Sequence, residues 1–379
     1  MKFEIKQSDF SKALILASKS LLSRANLPIL KNIFLGVQPS GKLEVVSTNL
    51  ETATKVVVNC KAEKEGRVTI PGRAIQEFVS QLPEGEVKFE KLGEEALVSA
   101  PGFSARFATI GTDDFPAIPK IEKGRKFLVV PADLAKGIMG VVFCAAQDEG
   151  RPTLTGILCE FSGGFLSMVA TDGYRLSFQK IQTKNKESVS LKIIVPAKSL
   201  VEVAKLIGES DDLSKEEVEI TVAESLNQAD FRIGNVEFAS RLIEGEFPNW
   251  QKIIPVNFTS KAKITREEFI RLVKVASIFA RDSGNIIRLK LEQGGGGALL
   301  RISASDNQLG SNEASCEIEL SGKGGEIAFN YRYLLEMLSS VEGEEVTFEM
   351  IESLNPGRLT VPELKDDYFH IIMPVRLQA

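Results

Sequence analysis

The segment SDFSKALILASKSLLSR, residues 8–24, has the apolar periodicity of an amphipathic helix that begins at Ser8 or Asp9. Two later segments have a similar pattern, PADLAKGIMGVVFCAA (131–146) and TREEFIRLVKVASIFAR (265–281). A second helical segment follows each of the three: PGRAIQEFVSQL (71–82), PAKSLVEVAKLIG (196–208) and NYRYLLEMLSSVEG (330–343). The chain of 379 residues is therefore predicted to contain three copies of one plan.

The segments around these helices alternate apolar and polar residues, which predicts antiparallel strands with one buried face. A polar corner recurs between strand segments, as STNLE (47–51), ATDGY (170–174) and ASDNQ (304–308). Two copies end in stretches that contain proline, DDFPAIPK (113–120) and GEFPNWQKIIP (245–255). These patterns predict an α+β fold, with two helices packed on curved antiparallel sheets in each domain. The predicted domains are about 1–122, 123–256 and 257–379.

The composition argues against most catalytic and metal chemistry. His370 is the only histidine, and it lies in an apolar run that predicts a structural strand. No phosphate-binding loop occurs, and GGGG at 294–297 is typical of a hairpin turn. The four cysteines are scattered, as expected of small core residues: Cys60, Cys144, Cys159 and Cys316. We expect no metal and no cofactor.

The cellular location is predicted from the absence of export signals. No apolar run is long enough to span a membrane, and the first ten residues, MKFEIKQSDF, are typical of a strand rather than a signal peptide. We therefore expect a cytoplasmic protein without a membrane partner.

The predicted helices are basic although the whole chain has a net charge of −5. Lys12 and Lys19 are seven residues apart and share a helix face, and so do Lys198 and Lys205. A solvated helix face would explain each helix alone. Six such helices in a threefold repeat also suit sequence-independent contact with phosphates, whereas the lack of interleaved aromatic residues disfavours single-strand binding.

Several motifs together resemble the bacterial DNA polymerase III beta subunit, the sliding clamp. They are LPILKNI (27–33), RPTLTGI (151–157), ATDGYRL (170–176), EFPNW (246–250), FNYRYLLEML (329–338) and IIMPVRL (371–377). The resemblance covers the whole chain and implies three tandem clamp domains in a ring-shaped, head-to-tail homodimer. It further implies a non-catalytic clamp that encircles duplex DNA and tethers the replicative polymerase, the clamp loader and repair proteins.

The resemblance also implies functional residues. A pocket for short peptide motifs of partners would be lined by Leu154, Thr171, Gly173, Tyr174, Arg175, Leu176, Pro248, Ile253, Asn330, Tyr333, Leu354, Pro356, Met373, Pro374, Val375, Arg376 and Leu377. The DNA contacts would include Arg24, Arg73, Gln147, Lys198 and Lys205. The subunit interface would join Phe107 and Thr109 of one protomer to Ile278 and Phe279 of the other.

The chain departs from the family pattern at several positions near the pocket. Tyr174 stands where many relatives have histidine, Val375 where methionine is common, and Gly284 where an aromatic residue often occurs. Gln378 and Ala379 extend past the usual terminal leucine. These differences affect the expected shape of the pocket and its preferred motif, not the fold.

Three rival functions remain open at this stage. The first is a metal-dependent nuclease or phosphodiesterase that uses Asp172, Asp306 or one of the aspartate pairs at 113–114, 211–212 and 366–367. An Asx turn explains Asp172 and Asp306 equally well. The second is a trimeric ring of two-domain subunits, which three repeats per chain disfavour. The third is a scaffold that never contacts DNA.

Overall fold

The computed structural model describes residues 1–22, 27–118, 121, 123–185, 190–209, 217–223, 225 and 227–376. Within these ranges there are six α-helices, two in each predicted repeat. They are α1 Gln7–Ala17, α2 Gly72–Gln81, α3 Pro131–Val141, α4 Ala197–Gly208, α5 Arg266–Ala280 and α6 Tyr331–Ser340.

The strands of the described residues also follow the three repeats. The first repeat has β1 Lys2–Lys6, β2 Asn32–Val37, β3 Lys42–Thr48, β4 Thr52–Asn59, β5 Lys61–Lys64, β6 Gly66–Pro71, β7 Glu86–Leu92, β8 Glu95–Ala100 and β9 Phe103–Ala108. The second has β10 Arg125–Val129, β11 Gly156–Ser162, β12 Phe165–Thr171, β13 Arg175–Gln182, β14 Leu191–Pro196, β15 Val218–Ala223, β16 Gln228–Ile233 and β17 Val236–Arg241. The third has β18 Ser260–Thr265, β19 Ile286–Gly294, β20 Gly297–Asp306, β21 Gly310–Gly322, β22 Gly325–Asn330, β23 Glu345–Met350, β24 Gly357–Thr360 and β25 Tyr368–Ile372.

The first helix of the chain is shorter than its sequence pattern predicts. α1 ends at Ala17 and continues as a 3-10 turn, Ser18–Ser20. The Ser18 hydroxyl donates to the Leu14 carbonyl at 2.7 Å, and the buried Ser47 hydroxyl donates to the Ala17 carbonyl. The Leu21 N–H donates to the Ser18 carbonyl at 3.0 Å instead of continuing the helix to Ala17, whose carbonyl accepts from Ser47. α3 likewise ends before residue 146, and a 3-10 turn follows it.

Two compact units divide the chain, and neither coincides with one repeat. The first unit contains Met1–Ala132 and Glu202–Leu242, and the second contains Asp133–Val201 and Ile243–Ala379. The first unit holds a five-stranded sheet, ordered β5-β1-β7-β8-β9, and an eight-stranded sheet, ordered β10-β15-β16-β17-β4-β3-β2-β6. The second holds a twelve-stranded sheet, ordered β14-β11-β12-β13-β25-β24-β23-β18-β21-β20-β19-β22.

Both large sheets run from one repeat into another. In the first unit β17 pairs antiparallel with β4, so that Ala239 lies opposite Ala53. In the second unit β13 pairs antiparallel with β25, so that Ser177 lies opposite His370. The sheets are antiparallel, as predicted, but period-2 alternation does not reveal that strands of different repeats share one sheet.

The helices pack as their patterns predict. On α5 the buried side chains Phe269, Leu272, Val273 and Ala276 lie on one face, at the spacing of an amphipathic helix. They join a core that includes Phe329 and Phe348, whose rings meet edge to face at 5.9 Å. No helix of the described residues is long and apolar enough to cross a membrane.

Candidate functional site

The turn at Thr171–Arg175, here called the pocket corner, is built from side-chain bonds to its own backbone. The Thr171 hydroxyl donates to the Arg175 carbonyl at 2.6 Å and accepts from the Gly173 N–H at 3.0 Å. Asp172 Oδ1 accepts from the N–H groups of Tyr174, at 2.9 Å, and Arg175, at 3.0 Å. Gly173 has a φ of +93°, which favours glycine. The corner is therefore rigid, and it leaves the Tyr174 side chain 61% exposed.

Arg175 is a buried cation held from several sides. Its guanidinium donates to Asp172 Oδ2 at 3.1 Å, to Glu336 and, at 2.7 Å, to the carbonyl of Phe143. It also lies 4.4 Å from the centre of the Tyr333 ring, within the range of a cation–π contact. Only about a tenth of the Arg175 side chain is exposed. These contacts make Arg175 part of the framework of the site, with its planar group fixed.

The segment after β25 lies against the pocket corner. The Met373 N–H donates to the Tyr174 carbonyl at 2.9 Å, and the Val375 N–H donates to the Ala328 carbonyl at 2.9 Å. These two bonds fix the segment at Met373 to the corner and at Val375 to β22. The structure thus brings together residues that are about two hundred positions apart in the sequence.

An apolar cluster adjoins this junction. It contains Leu176 and Ile371, which face each other across β13 and β25, together with Trp250. Phe178 and Phe369 stack with ring centres 4.8 Å apart, and Trp250 lies 5.4 Å from Phe178. The exposed large apolar side chains of the same unit include Tyr174, Ile253, Leu354 and Met373. Exposed apolar side chains such as Tyr174 and Met373, next to a buried apolar cluster, are suited to bind apolar anchors of a peptide.

The remaining predicted pocket residues take varied places in the second unit. Leu154 is buried in a 3-10 turn, and its carbonyl accepts from the Ala146 N–H at 2.8 Å. Pro356 immediately precedes β24, which pairs with β25, whereas Pro248 and Arg376 are exposed. The Asn330 side chain caps α6 by accepting from the Arg332 N–H at 3.0 Å, so its amide oxygen is already engaged. Leu377, Gln378 and Ala379 lie outside the described residues.

The sequence did not predict the buried polar group that His370 forms with two neighbouring side chains. His370 Nδ1 is 2.7 Å from the Ser177 hydroxyl and 3.7 Å from Cys144 Sγ. Burial, and secondarily the charge of Arg175, lowers the pKa of His370 to about 3. Burial raises the pKa of Cys144 to about 12. Histidine and thiol are both neutral, and His370 occupies a strand position as predicted.

The ion-pair partner of Arg175 on α6, Glu336, was also missed. Glu336 lies three residues after Tyr333 on α6, a spacing that places both on one helix face. That spacing is the sequence signal that could have pointed to Glu336, but only the tertiary structure shows that Arg175 contacts this face of α6.

The predicted DNA contacts are surface residues of different kinds. Arg73, Gln147 and Lys198 are exposed, and Arg24 lies outside the described residues. Lys205 is also exposed, but its ammonium pairs with Glu202 at 2.7 Å. Ion pairs of this kind on the surface are weak and exchangeable, so Lys205 remains available to a phosphate.

Other predicted helix cations are less available. Lys19 Nζ lies 2.6 Å from Glu209, and Lys136 Nζ lies 2.8 Å from Glu342. Arg266, at the start of α5, donates to the carbonyls of Leu338 and Gly343, at 2.8 and 2.9 Å. It therefore ties the start of α5 to the end of α6.

The predicted interface residues occupy both units. In the first unit Phe107 is half-buried on the edge strand β9, where its ring meets Phe78 at 5.7 Å. The N–H of Thr109 donates to the Glu94 carbonyl at 2.8 Å. In the second unit Ile278 on α5 is 51% exposed, whereas Phe279 packs partly against the core.

The two aspartates of the nuclease hypothesis serve as turn acceptors. Asp172 accepts the bonds of the pocket corner, and Asp306 Oδ1 accepts from the N–H groups of Gln308 and Leu309, at 2.7 and 2.9 Å. The backbone N–H groups of Leu309 and Gln308 lower the pKa of Asp306. Across the described ranges, no group of three or more His, Cys, Asp or Glu residues could hold a metal ion. The Asx-turn interpretation therefore accounts for both carboxylates.

Comparison with known families gives a match along almost the whole chain. The models of the DNA polymerase III beta subunit match at residues 1–119 for the N-terminal domain, 129–249 for the central domain and 251–376 for the C-terminal domain. A beta sliding clamp from Pseudomonas aeruginosa is 30% identical over 381 residues, which cover 100% of both chains. The chain belongs to the DNA polymerase III beta subunit family. The beta sliding clamp of Synechocystis is also similar, at 29% identity over 400 residues and 100% of both chains.

A solved beta subunit confirms the fold. The sliding clamp of Pseudomonas aeruginosa bound to griselimycin is 28% identical, covers 100% of both chains and has a TM-score of 0.92. The resemblance to the DNA polymerase III beta subunit and the prediction of three tandem clamp domains with antiparallel sheets are thereby confirmed. Beta subunits are the clamps of the polymerase and not its catalytic subunit, which agrees with the expectation of a non-enzymatic protein.

Proposed function

We propose that this beta subunit encircles duplex DNA as a head-to-tail homodimer and tethers the replicative polymerase, the clamp loader and repair proteins. The observation that carries this proposal is the match of three successive clamp domain models to one chain. Two such chains supply six domains, and a head-to-tail interface that closes on itself gives a ring. We place the domain boundaries near 122 and 256 and the protein in the cytoplasm.

Sequence-independent cation contacts account for movement along DNA. Arg73, Lys198 and Lys205 carry exposed guanidinium or ammonium groups that would bind phosphates without reading bases. Such contacts do not fix a position on the duplex, and topological linkage makes a high affinity unnecessary.

Partner proteins would bind through short linear motifs at the pocket corner. The support is the backbone bond that joins the exposed residues Tyr174 and Met373, next in sequence to strands whose Leu176 and Ile371 belong to the buried apolar cluster. A clamp of this family that binds griselimycin supports a ligand site in the family. Because one motif covers a small area, we expect an affinity on the order of micromolar, about −8 kcal/mol.

Retention on DNA tests the ring. The protein would be loaded with purified clamp loader and ATP onto closed circular duplex and onto linear duplex, at moderate salt. A topological ring stays on circles and escapes from linear ends. Equal retention on both, falling steeply with salt, would show ordinary electrostatic binding and contradict the proposal.

Charge-reversal variants distinguish the effect of specific phosphate contacts on loading from the effect of the net charge of the protein. The double variant Arg73→Glu, Lys198→Glu removes two of the proposed phosphate contacts and should reduce loading severalfold. The double variant Lys42→Glu, Lys91→Glu changes the net charge equally at exposed strand residues and should load normally. Equal effects of the two double variants would remove the assigned role of the helix cations.

A further inference from the structure

A second corner in the first unit repeats the hydrogen bonds of the pocket corner. In this N-terminal corner, Thr48–Thr52, the Thr48 hydroxyl donates to the Thr52 carbonyl at 2.8 Å and accepts from the Leu50 N–H at 3.1 Å. Asn49 Oδ1 accepts from the N–H groups of Glu51, at 2.9 Å, and Thr52, at 2.6 Å. Each of these four bonds has its counterpart at the pocket corner.

The strand that joins this corner also has its counterpart. The Arg241 N–H, at the end of β17, donates to the Glu51 carbonyl at 2.9 Å. The Met373 N–H, just after β25, donates to the Tyr174 carbonyl at the same distance. In both places a strand from the following repeat ends beside the corner, so the two junctions share one construction.

A cavity of about 300 Å³ opens at the N-terminal corner. Its walls come from the corner, from the end of β17 and from the proline-containing stretch that follows the first repeat, through Pro116 and Ile118. The corresponding stretch of the second repeat supplies Pro248 and Ile253 to the predicted pocket. A volume near the lower limit of ligand cavities holds one large side chain rather than several.

Leu50 is the unusual residue of this cavity. Its φ is +76°, a left-handed conformation that is unfavourable for a bulky side chain, and the pocket corner has Gly173 at the corresponding position. The Leu50 side chain is nevertheless 51% exposed and lines the cavity. A strained backbone that displays an apolar side chain at a cavity is a feature typical of binding sites.

Charged groups lie on the rim. Arg241 and Glu51 both line the cavity, and both residues are exposed. A carboxylate next to an apolar anchor would meet the Arg241 guanidinium, whereas Glu51 would disfavour a second acidic residue.

We propose that this cavity is a second peptide-binding site, which takes one aliphatic or aromatic anchor between Leu50 and Ile118 and an adjacent carboxylate at Arg241. The proposal rests on the proposed function in one respect, because it takes the pocket corner as a peptide site built in the same way. A single anchor makes the second site the weaker of the two.

Calorimetric titration of the full-length protein with the peptide acetyl-Ala-Asp-Leu-Ala-Phe-amide tests this. The peptide supplies both kinds of anchor and one carboxylate. We expect two binding events per chain. The variant Met373→Glu, which places a charge at the pocket corner, should remove the tighter event and leave the weaker one.

Variants at the second site complete the test. Leu50→Asn removes the apolar side chain and introduces a residue that tolerates positive φ, so the fold should be kept. It should weaken the second event about tenfold, and Arg241→Gln should weaken it about fivefold. Leu92→Asn changes an exposed leucine of the same unit away from the cavity and serves as the matched control.

The outcomes separate the two sites. One event that Met373→Glu abolishes and Leu50→Asn leaves unchanged would overturn the second site and keep the pocket corner. One event that only Leu50→Asn and Arg241→Gln weaken would support the second site and refute the pocket corner. No binding by the unmodified protein, or equal effects of Leu50→Asn and Leu92→Asn, would overturn the second site.

Discussion

Lowering the pH should destabilise the second unit because His370 accepts a proton less readily in the folded protein than in the unfolded chain. The side chain is fully buried, its Nδ1 is 2.7 Å from the Ser177 hydroxyl, and its pKa is lowered to about 3 by burial and by the charge of Arg175. In the unfolded chain the pKa returns to about 6.5. The unfolded state therefore binds the proton first, so the contribution to stability is full above about pH 6.5 and falls as the pH drops toward 3.

The magnitude follows from the two pKa values. Between pH 7.5 and pH 5 the unfolded histidine becomes protonated while the folded one stays neutral, which lowers the free energy of unfolding by about 2 kcal/mol. The effect can be followed by fluorescence, because Trp250 is the only tryptophan of the chain and lies in this unit. Urea midpoints at pH 5 and pH 7.5 give the free-energy difference.

His370→Asn isolates the histidine from other titrating groups. An asparagine amide can keep a bond to Ser177 but does not titrate, so the variant should be less stable at pH 7.5 yet lose about 2 kcal/mol less on acidification. All other titrating groups are present in both proteins, so their contributions to the pH dependence of stability cancel in the comparison. An equal loss of stability in the variant and the unmodified protein would refute the assignment of a neutral, buried His370.

Three further outcomes are expected. Burial raises the pKa of Asp230 to about 6, so Asp230→Asn should raise the free energy of unfolding by about 1–2 kcal/mol at pH 7.5, measured by urea titration, and the gain should vanish below about pH 4. Arg175→Met leaves Glu336 without its buried partner and should cost about 2–3 kcal/mol and weaken peptide binding at the pocket corner at least about tenfold, whereas unchanged affinity in calorimetry would contradict its role there. Ile278→Lys should shift the protein to monomers in analytical ultracentrifugation, whereas Val256→Lys, at another exposed residue of the same unit, should leave the dimer intact.

The helices were predictable because their signals are local. The apolar residues of α5 recur at helical spacing, and the buried face found in the structure is the predicted one. The ends were less predictable. At the end of α1, the carbonyl of Ala17 accepts from Ser47, thirty residues further along. A side chain from another element takes part at that boundary, and no local pattern reports it.

The corners were found from the sequence, but their roles were not. STNLE and ATDGY were recognised as equivalent, and an Asx turn was expected at Asp172. The same bonds at Asn49 were not foreseen, and neither was the left-handed backbone of Leu50. A leucine gives no sequence signal for positive φ, whereas glycine does.

Because β17 pairs with β4 and β13 pairs with β25, neither candidate site can be predicted from the sequence of one repeat alone. Each pair joins strands from different repeats, and the strand of the later repeat ends at a polar corner of the earlier one. There the backbone of Arg241 bonds to that of Glu51, and the backbone of Met373 bonds to that of Tyr174. A domain taken alone would leave the edge of β4 or β13 unpaired and its corner without a second wall. The cavity at the N-terminal corner is therefore a consequence of joining two repeats through β17 and β4, and the residue at the third position, Leu50 in one corner and Gly173 in the other, distinguishes the two corners.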